Sequence, residues 1–363
     1  MAALATLMRP NSPAMSYSAS ILCTSGAAPA QDHRCVVSDD ATHTPTQSLL
    51  PPPMIESASP LEPMLTRSAV INLKVALKEQ RAQAARQTRG LQESTQRNAL
   101  YKEIRACAEE EETLDKHLEQ NFVPQHSPGQ LLSPRAFSVS PLFRVCNKAL
   151  QRKTQIELLL PTATGRAPMS YSGPELRQSD GRVFLALLHI LRDVQVGTHV
   201  RIQPEALCKA LFRRYDGNSR KLLCAHIQRL QKGLVTWGDC TMQLCLNFEY
   251  ARMGSWIVAL DPQIVELFRV FPSFWFPMQP RLVLTDGLAT WLYTYIESQT
   301  RLIPTRIDLL RQLCGCDSHG RAFTNSLRLA LKQVAAAGVI DTKWTLLRGE
   351  VHWLKRRDHP ARS

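Results

Sequence analysis

The chain has 363 residues, with 44 Lys and Arg against 31 Asp and Glu, giving a formal net charge of +13 and a pI near 9.5. That surplus favours a polyanionic partner, nucleic acid or an anionic membrane surface, without choosing between them. No run of about 18 apolar residues occurs, so no transmembrane helix is expected. The apolar start Met1–Met8 runs directly into Arg9, Pro10 and Asn11 with no basic segment before it, a poor signal peptide, and a cytoplasmic location is expected.

Residues 1–66 are rich in Ser, Pro, Ala and Thr, with three prolines at Pro51–Pro53. Such a segment cannot bury enough apolar surface to offset its ordering entropy, so disorder is expected. Met54 and Met64 are candidate internal translation starts. Residues 67–120 turn to helix-forming composition without proline. The first part is basic (Lys74, Lys78, Arg81, Arg86, Arg89) and the last acidic (Glu109–Glu112), without a sustained heptad. This reads as a charged helical arm, either simply solvated or contacting DNA or a partner. Residues 121–168 read as a linker with Pro124, Pro128, Pro134 and Pro141, carrying one strand at Ile156–Leu160.

From Tyr171 an internal repeat emerges. The first copy predicts helices at Gly181–Arg192, Pro204–Phe212 and Ser219–Lys232, the last stopping at Gly233 as a left-handed C′ residue. Strands follow at Leu234–Thr236, Thr241–Phe248 and Ser255–Leu260. The second copy, about 105 residues on, predicts helices at Asp286–Ser298, with Thr285 as N-cap, Arg306–Leu313 and Arg321–Ala337. Val339-Ile340 then reads as a strand, and Thr345–Leu347 and Val351–Leu354 as a hairpin around Arg348-Gly349. Three helices followed by a hairpin is the winged-helix plan. The expected class is α+β, with tandem winged-helix domains at 169–275 and 276–363 behind a disordered N-terminus and the helical arm.

A winged helix binds duplex DNA by placing its third helix in the major groove and its wing on the backbone. Arg321, Asn325, Arg328 and Lys332 share one face of the second copy's third helix, opposite Phe323, Leu327, Leu331 and Val334. Arg suits guanine, Asn suits adenine, and the competing reading is a solvated basic face. Arg348 on the wing and Lys355 and Arg356 beyond it suit phosphates. In the first copy the candidates are Arg213, Arg214, Asn218, Arg220, Lys221, Arg229 and Lys232, and His226 reads equally as a DNA contact or a surface residue. The aromatic run Phe268–Phe276 could stack bases, but packing between the two copies is favoured.

Enzyme signatures are missing: no phosphate-binding G-x-x-x-x-G-K-[ST], and no histidine pair of the kind a metal-dependent nicking initiator needs. Among the ten cysteines, Cys208, Cys224, Cys240 and Cys245 form no C-x-x-C. Cys314 and Cys316 are a lone C-x-C without a matching His or Cys pair. Free thiols in a reducing compartment, with no catalytic site, metal or cofactor, are expected.

Met169-Ser-Tyr-Ser-Gly-Pro-Glu-Leu-Arg177 resembles the entry to the DNA-binding region of TrfA-type plasmid replication initiators. Further likeness lies at Ser140-Pro-Leu-Phe143 with Asn147-Lys148, at Ile264-Val-Glu-Leu-Phe268, at Leu313-Cys-Gly-Cys-Asp-Ser318 and at Val351-His-Trp-Leu-Lys355. It spans roughly residues 140–357. The resemblance implies binding to directly repeated origin sites (iterons), opening of an adjacent AT-rich region, and loading of the host replicative helicase with host initiator proteins. It also implies a homodimer when inactive and a monomer on DNA. Family members carry a sliding-clamp peptide ahead of the first winged helix; the nearest segment here, Gln130-Leu-Leu-Ser-Pro134, lacks its terminal Leu-Phe. The rival functions are a winged-helix repressor or partition-type DNA-binding protein, and a protein whose basic surface contacts acidic proteins.

Overall fold

The computed structural model describes residues 66–88, 94–147, 149–162, 168–251, 254–285, 287–318 and 320–355. The disorder expected for 1–65, and the positions of Arg89 and Arg356, lie outside them. The described chain is mixed α+β, with four small antiparallel sheets. None of its helices is long and apolar enough to cross a membrane.

The charged segment forms two helices, α1 (Arg67–Thr88) and α2 (Ser94–Asn121). They run antiparallel. Lys74 pairs with Asp115, and Arg81 with Glu111 at 3.6 Å. The basic half of the segment therefore folds onto the acidic half. Its root is anchored: Arg67 donates its backbone N–H to the Asp193 carbonyl at 3.0 Å, donates a guanidinium N–H to the Val123 carbonyl, and lies over the Phe122 ring.

Of the segment expected as linker, the described residues 121–147 and 149–162 include strands and a short helix. Strand β1 (Gln130–Pro134) and the short α3 (Arg135–Ser138) are followed by β2 (Ile156–Leu160) and β3 (Met169–Gly173). Phe122, Val123, Leu131, Leu132, Phe137 and Leu142 are buried in the core. Their apolar positions are too sparse between prolines to show periodicity, yet Leu131 and Leu132 lie opposite Phe276 and Trp275, and Phe137 meets Phe184.

Next come α4 (Gln178–Ile190), β4 (Val200–Ile202), α5 (Pro204–Phe212), α6 (Gly217–Lys232), β5 (Leu234–Trp237), β6 (Cys240–Gln243), β7 (Asn247–Tyr250) and β8 (Trp256–Ala259). Asp216 caps α6, accepting the Ser219 N–H at 2.6 Å while the Ser219 hydroxyl accepts the Asp216 N–H at 2.9 Å. Gly233 is extended (φ −86°), not left-handed. Its lack of a side chain serves packing: a Cβ there would stand 2.9 Å from the Tyr171 ring. The stretch 241–248, expected as one strand, is divided between two sheets. Strand β6 joins the order β2-β3-β5-β6, whereas β7 joins β4-β8-β7. Leu244 and Cys245, both buried, make the crossing, and the Asp261 carboxylate accepts the Gln243 N–H at 2.8 Å.

The remainder comprises α7 (Gln263–Val270), β9 (Ser273–Pro277), α8 (Met278–Val283), α9 (Leu288–Ser298), β10 (Thr305–Arg306), α10 (Ile307–Leu313), α11 (Gly320–Ala336), β11 (Thr345–Leu347) and β12 (Glu350–His352). Strand β9 pairs with β1 in register Leu132↔Trp275. The aromatic run mainly packs: Phe268, Phe271 and Phe276 are buried, and Phe276 meets Tyr293 edge-on. Gly287, not Thr285, is the N-cap of α9; the Thr285 carbonyl instead accepts the Thr290 hydroxyl at 2.6 Å. In place of a strand at Val339-Ile340 there is one bridge, Ile340 to Lys355.

Two halves of the chain share one order. The set α4, β4, α5, α6, β7, β8 carries the antiparallel sheet β4-β8-β7. The set α9, β10, α10, α11, β11, β12 carries the antiparallel sheet β10-β12-β11. In the first set the β5–β6 hairpin is an insertion, drawn away to pair with β3.

Candidate nucleic-acid interface

Helix α11 is amphipathic for a simple reason. Phe323, Leu327, Ala330, Leu331 and Val334 repeat at three- and four-residue spacing and are buried, so the opposite face must meet solvent. Arg321, Asn325, Arg328 and Lys332 all lie there, exposed. The helix contains no carboxylate, so nothing on it neutralises its three cations. The Asn325 side-chain oxygen accepts an Arg328 guanidinium N–H at 3.0 Å, which orients the guanidinium and leaves the Asn325 amide N–H groups free to donate.

The β11–β12 hairpin turns through Arg348 (φ +50°) and Gly349 (φ +78°). Both central residues of such a two-residue turn need positive φ, and Arg348 accepts that strain at an exposed tip. The Gly349 carbonyl accepts the Ile307 N–H at 2.9 Å, holding the tip against the start of α10. Lys355 is turned elsewhere: its ammonium donates to Glu297 at 2.9 Å, which leaves little to offer a phosphate. Arg356 lies outside the described residues.

On the first set the candidates divide. Arg213, Arg214, Asn218, Lys221 and Lys232 are exposed. Arg213 ends α5 in the left-handed region (φ +58°), and Arg214 lies 3.6 Å from Asp216. Arg220 is half-buried with its guanidinium over the Trp256 ring, at 5.9 Å. His226 is buried, not the surface residue expected, and the half-buried Arg229 has its guanidinium on the same carboxylate as His226. Asp180, the third residue of α4 and 0% exposed, accepts the Arg229 Nε–H at 2.8 Å and contacts His226 Nδ1 at 2.7 Å. It also accepts an Arg152 N–H at 2.6 Å and the Arg177 backbone N–H at 2.7 Å. Burial opposes the Asp180 charge, but the His226 hydrogen bond and the nearby His226, Arg229 and Arg152 outweigh it and hold the carboxyl well below its ordinary range. This cluster ties α6 to α4 and so sets which face of α6 is outward. An Asp near a helix start is an ordinary capping signal, and its partners lie 28, 46 and 49 residues away, so the cluster has no sequence signature.

One exposed residue escaped the sequence reading. Tyr250 ends β7 and is 64% exposed, yet its ring packs edge-on against Phe248 and Trp256 and its Oη lies 2.7 Å from Cys224 Sγ on α6. It is an aromatic held rigidly beside the N-terminal half of α6. Recognising it requires knowing that β7–β8, not β5–β6, corresponds to β11–β12.

No family model and no curated protein matches this chain. Among solved structures it is similar to domains 2 and 3 of RctB. A selenomethionine form of those domains matches at TM-score 0.45 and 12% identity, covering 62% of this chain and 98% of that one. A second structure of RctB domains 2–3 matches at TM-score 0.39 and 13% identity, covering 58% and 95%.

The segment nearest to a clamp-binding peptide, Gln130–Pro134, is β1, with Leu131, Leu132 and Ser133 buried against β9. It is not displayed for a partner. Among the described residues no group of three or more His, Cys, Asp and Glu is placed to hold a metal ion.

Proposed function

We propose that this chain is a non-enzymatic, sequence-specific duplex DNA-binding protein. It consists of two winged-helix units and acts in the cytoplasm as a plasmid replication initiator of the TrfA type. The observation that carries this is the repeated order of three helices and a three-stranded sheet, with the third helix of the second copy presenting Arg321, Asn325, Arg328 and Lys332 on a face free of carboxylates. Such a face fits the major groove, where Arg and Asn discriminate bases, while Arg348 meets the backbone. Arg213, Arg214, Asn218, Lys221 and Lys232, with Arg220 stacked behind them, give the first copy mainly phosphate contacts. The substrate is then a set of direct repeats at an origin, which a monomer binds before an adjacent AT-rich stretch opens. The host helicase and host initiator proteins are the later partners, and a homodimer is the resting form.

The test begins by selecting bound sequences from a random duplex pool with the full chain, then placing the selected repeats beside an AT-rich stretch in a supercoiled plasmid. Permanganate-reactive thymines in that stretch, dependent on the protein, support initiation. Tight binding without melting moves the assignment to a repressor or partition protein. Failure to retard any duplex at about 50 mM salt removes DNA binding altogether.

A further inference from the structure

Leu329 is 61% exposed, the one large hydrophobic side chain of α11 left in solvent. At about 100° per residue it stands away from the buried Leu327, Leu331 and Val334, one turn after Asn325 and directly after Arg328. The fold does not require a large side chain there. The buried stripes of the two third helices correspond, Leu223 to Leu327, Ile227 to Leu331 and Leu230 to Val334. Leu329 then falls on Ala225 of α6, a short, half-buried side chain in a helix that forms and packs without a larger one. Helix propensity does not ask for leucine either, since alanine is the better helix former.

A single exposed leucine is ordinary on a protein surface, and it is the setting that distinguishes this one. Its exposed neighbours within one turn are Asn325, Arg328 and Lys332, Arg321 lies two turns back, and the helix holds no carboxylate. A leucine among three cations is unlike the centre of a protein–protein contact, where Lys is depleted. It suits a polyanion that carries apolar groups. The major groove of duplex DNA carries one, the thymine C5-methyl, among edge atoms that otherwise donate or accept hydrogen bonds. The neighbouring hydroxyls are turned away from such a partner: Thr324 and Ser326 donate to the Gly320 and Ala322 carbonyls of their own helix, each at 3.1 Å.

We infer that Leu329 is a specificity-determining residue that packs on the C5-methyl of a thymine, beside the base that Asn325 reads. The contact rests on the DNA-binding function proposed above. Its register follows from the helix: four residues rise about 6 Å and stacked base pairs about 3.4 Å, so the thymine lies within about two pairs of the Asn325 contact. Hiding one methyl group from water gives about a fourfold preference for thymine over the same base without it.

The test removes only that methyl. Each thymine of the selected duplex is replaced in turn by deoxyuridine, which keeps the hydrogen-bonding edge. Titrated retardation is then measured for the parent chain and for Leu329→Ala, with Leu329→Gln in its place should the alanine variant misfold. One deoxyuridine should weaken the parent about fourfold and leave the variant's affinity unchanged. Sites selected by the variant from a random pool should lose the thymine preference at that place alone. Leu329→Met, which keeps an apolar side chain of similar volume, should retain most of it. The contact is overturned if no single deoxyuridine weakens the parent by as much as about twofold, or if the loss is the same in parent and variant. A parent that retards no duplex defeats the proposed function and the contact with it, whereas a parent that binds its selected site with every methyl silent defeats the contact alone.

Discussion

Arg229 and Arg328 look alike in sequence, each a basic residue on the third helix of its copy, yet the structure places one on a buried carboxylate and the other in solvent. Arg229 donates to the buried Asp180 and contacts His226 at 2.8 Å. Arg229→Ala leaves Asp180 with Arg152, His226 and the Arg177 N–H. Stripping one partner from a buried ion network costs about 3–5 kcal/mol when the charge is left alone, and the three remaining donors bring this case below that, to about 2–3 kcal/mol. Arg328 is exposed and touches only Asn325 by the contacts described, so Arg328→Ala should change folding by no more than about 0.5 kcal/mol. On the selected duplex the order reverses. Arg328→Ala should cost about 1–3 kcal/mol, roughly 5- to 150-fold in Kd. Arg229→Ala, assayed at a temperature where it is fully folded, should bind almost as the parent does. Urea unfolding followed by tryptophan fluorescence gives the first quantity and titrated retardation the second. If Arg229→Ala kept the parent's urea midpoint but lost specific binding, the inward placement of its guanidinium would be wrong. If Arg328→Ala left both affinity and footprint unchanged, α11 would not be the reading helix.

Acid should destabilise the fold in two stages. Burial, Arg192 and His126 push His189 down to about 3, so the unfolded chain takes up this proton at its ordinary value of roughly 6.5 and the folded chain does not. Stability is then complete above about pH 6.5, falls as the pH drops toward about 3, and falls further below the ordinary carboxylate range, where the unfolded chain protonates Asp180 and the folded chain does not. The urea midpoint at about pH 4.5 should lie below that at about pH 7.5, and His189→Asn should flatten the difference. DNA affinity should fall steeply with salt: if Arg321, Lys332, Arg348, Arg213, Lys221 and Lys232 all meet phosphates, the log–log slope is about −5, and a slope near zero would contradict a phosphate-based interface. If the exposed ring meets DNA, Tyr250→Ala should weaken duplex binding several-fold while Tyr250→Phe retains it; equal losses in the two variants would show that the Cys224 contact is what matters. Lys355→Ala should leave Kd unchanged within about twofold and cost at most about 1 kcal/mol of stability, since its ammonium is occupied by Glu297.

Local pattern determined much of this molecule. The stripes Leu223, Ile227, Leu230 and Phe323, Leu327, Leu331, Val334 have only one way to be buried, and they set the outward faces of α6 and α11 before any tertiary contact is known. Arg348-Gly349 determined a tight hairpin in the same way, since few residue pairs enter that turn. What the tertiary structure decided is everything that depends on partners far apart in sequence. The proline-spaced stretch 130–142 became core because β1 found β9, and the two helices of the charged arm pair because its basic half found its acidic half. Strand β7, not β6, became the companion of β8 because β5 and β6 were drawn to β3. Arg229 and Lys355 carry the same charge as Arg328 and Lys332. A charge has no periodicity of its own, and only the carboxylate across from it, Asp180 or Glu297, determines whether it turns inward or stays in solvent.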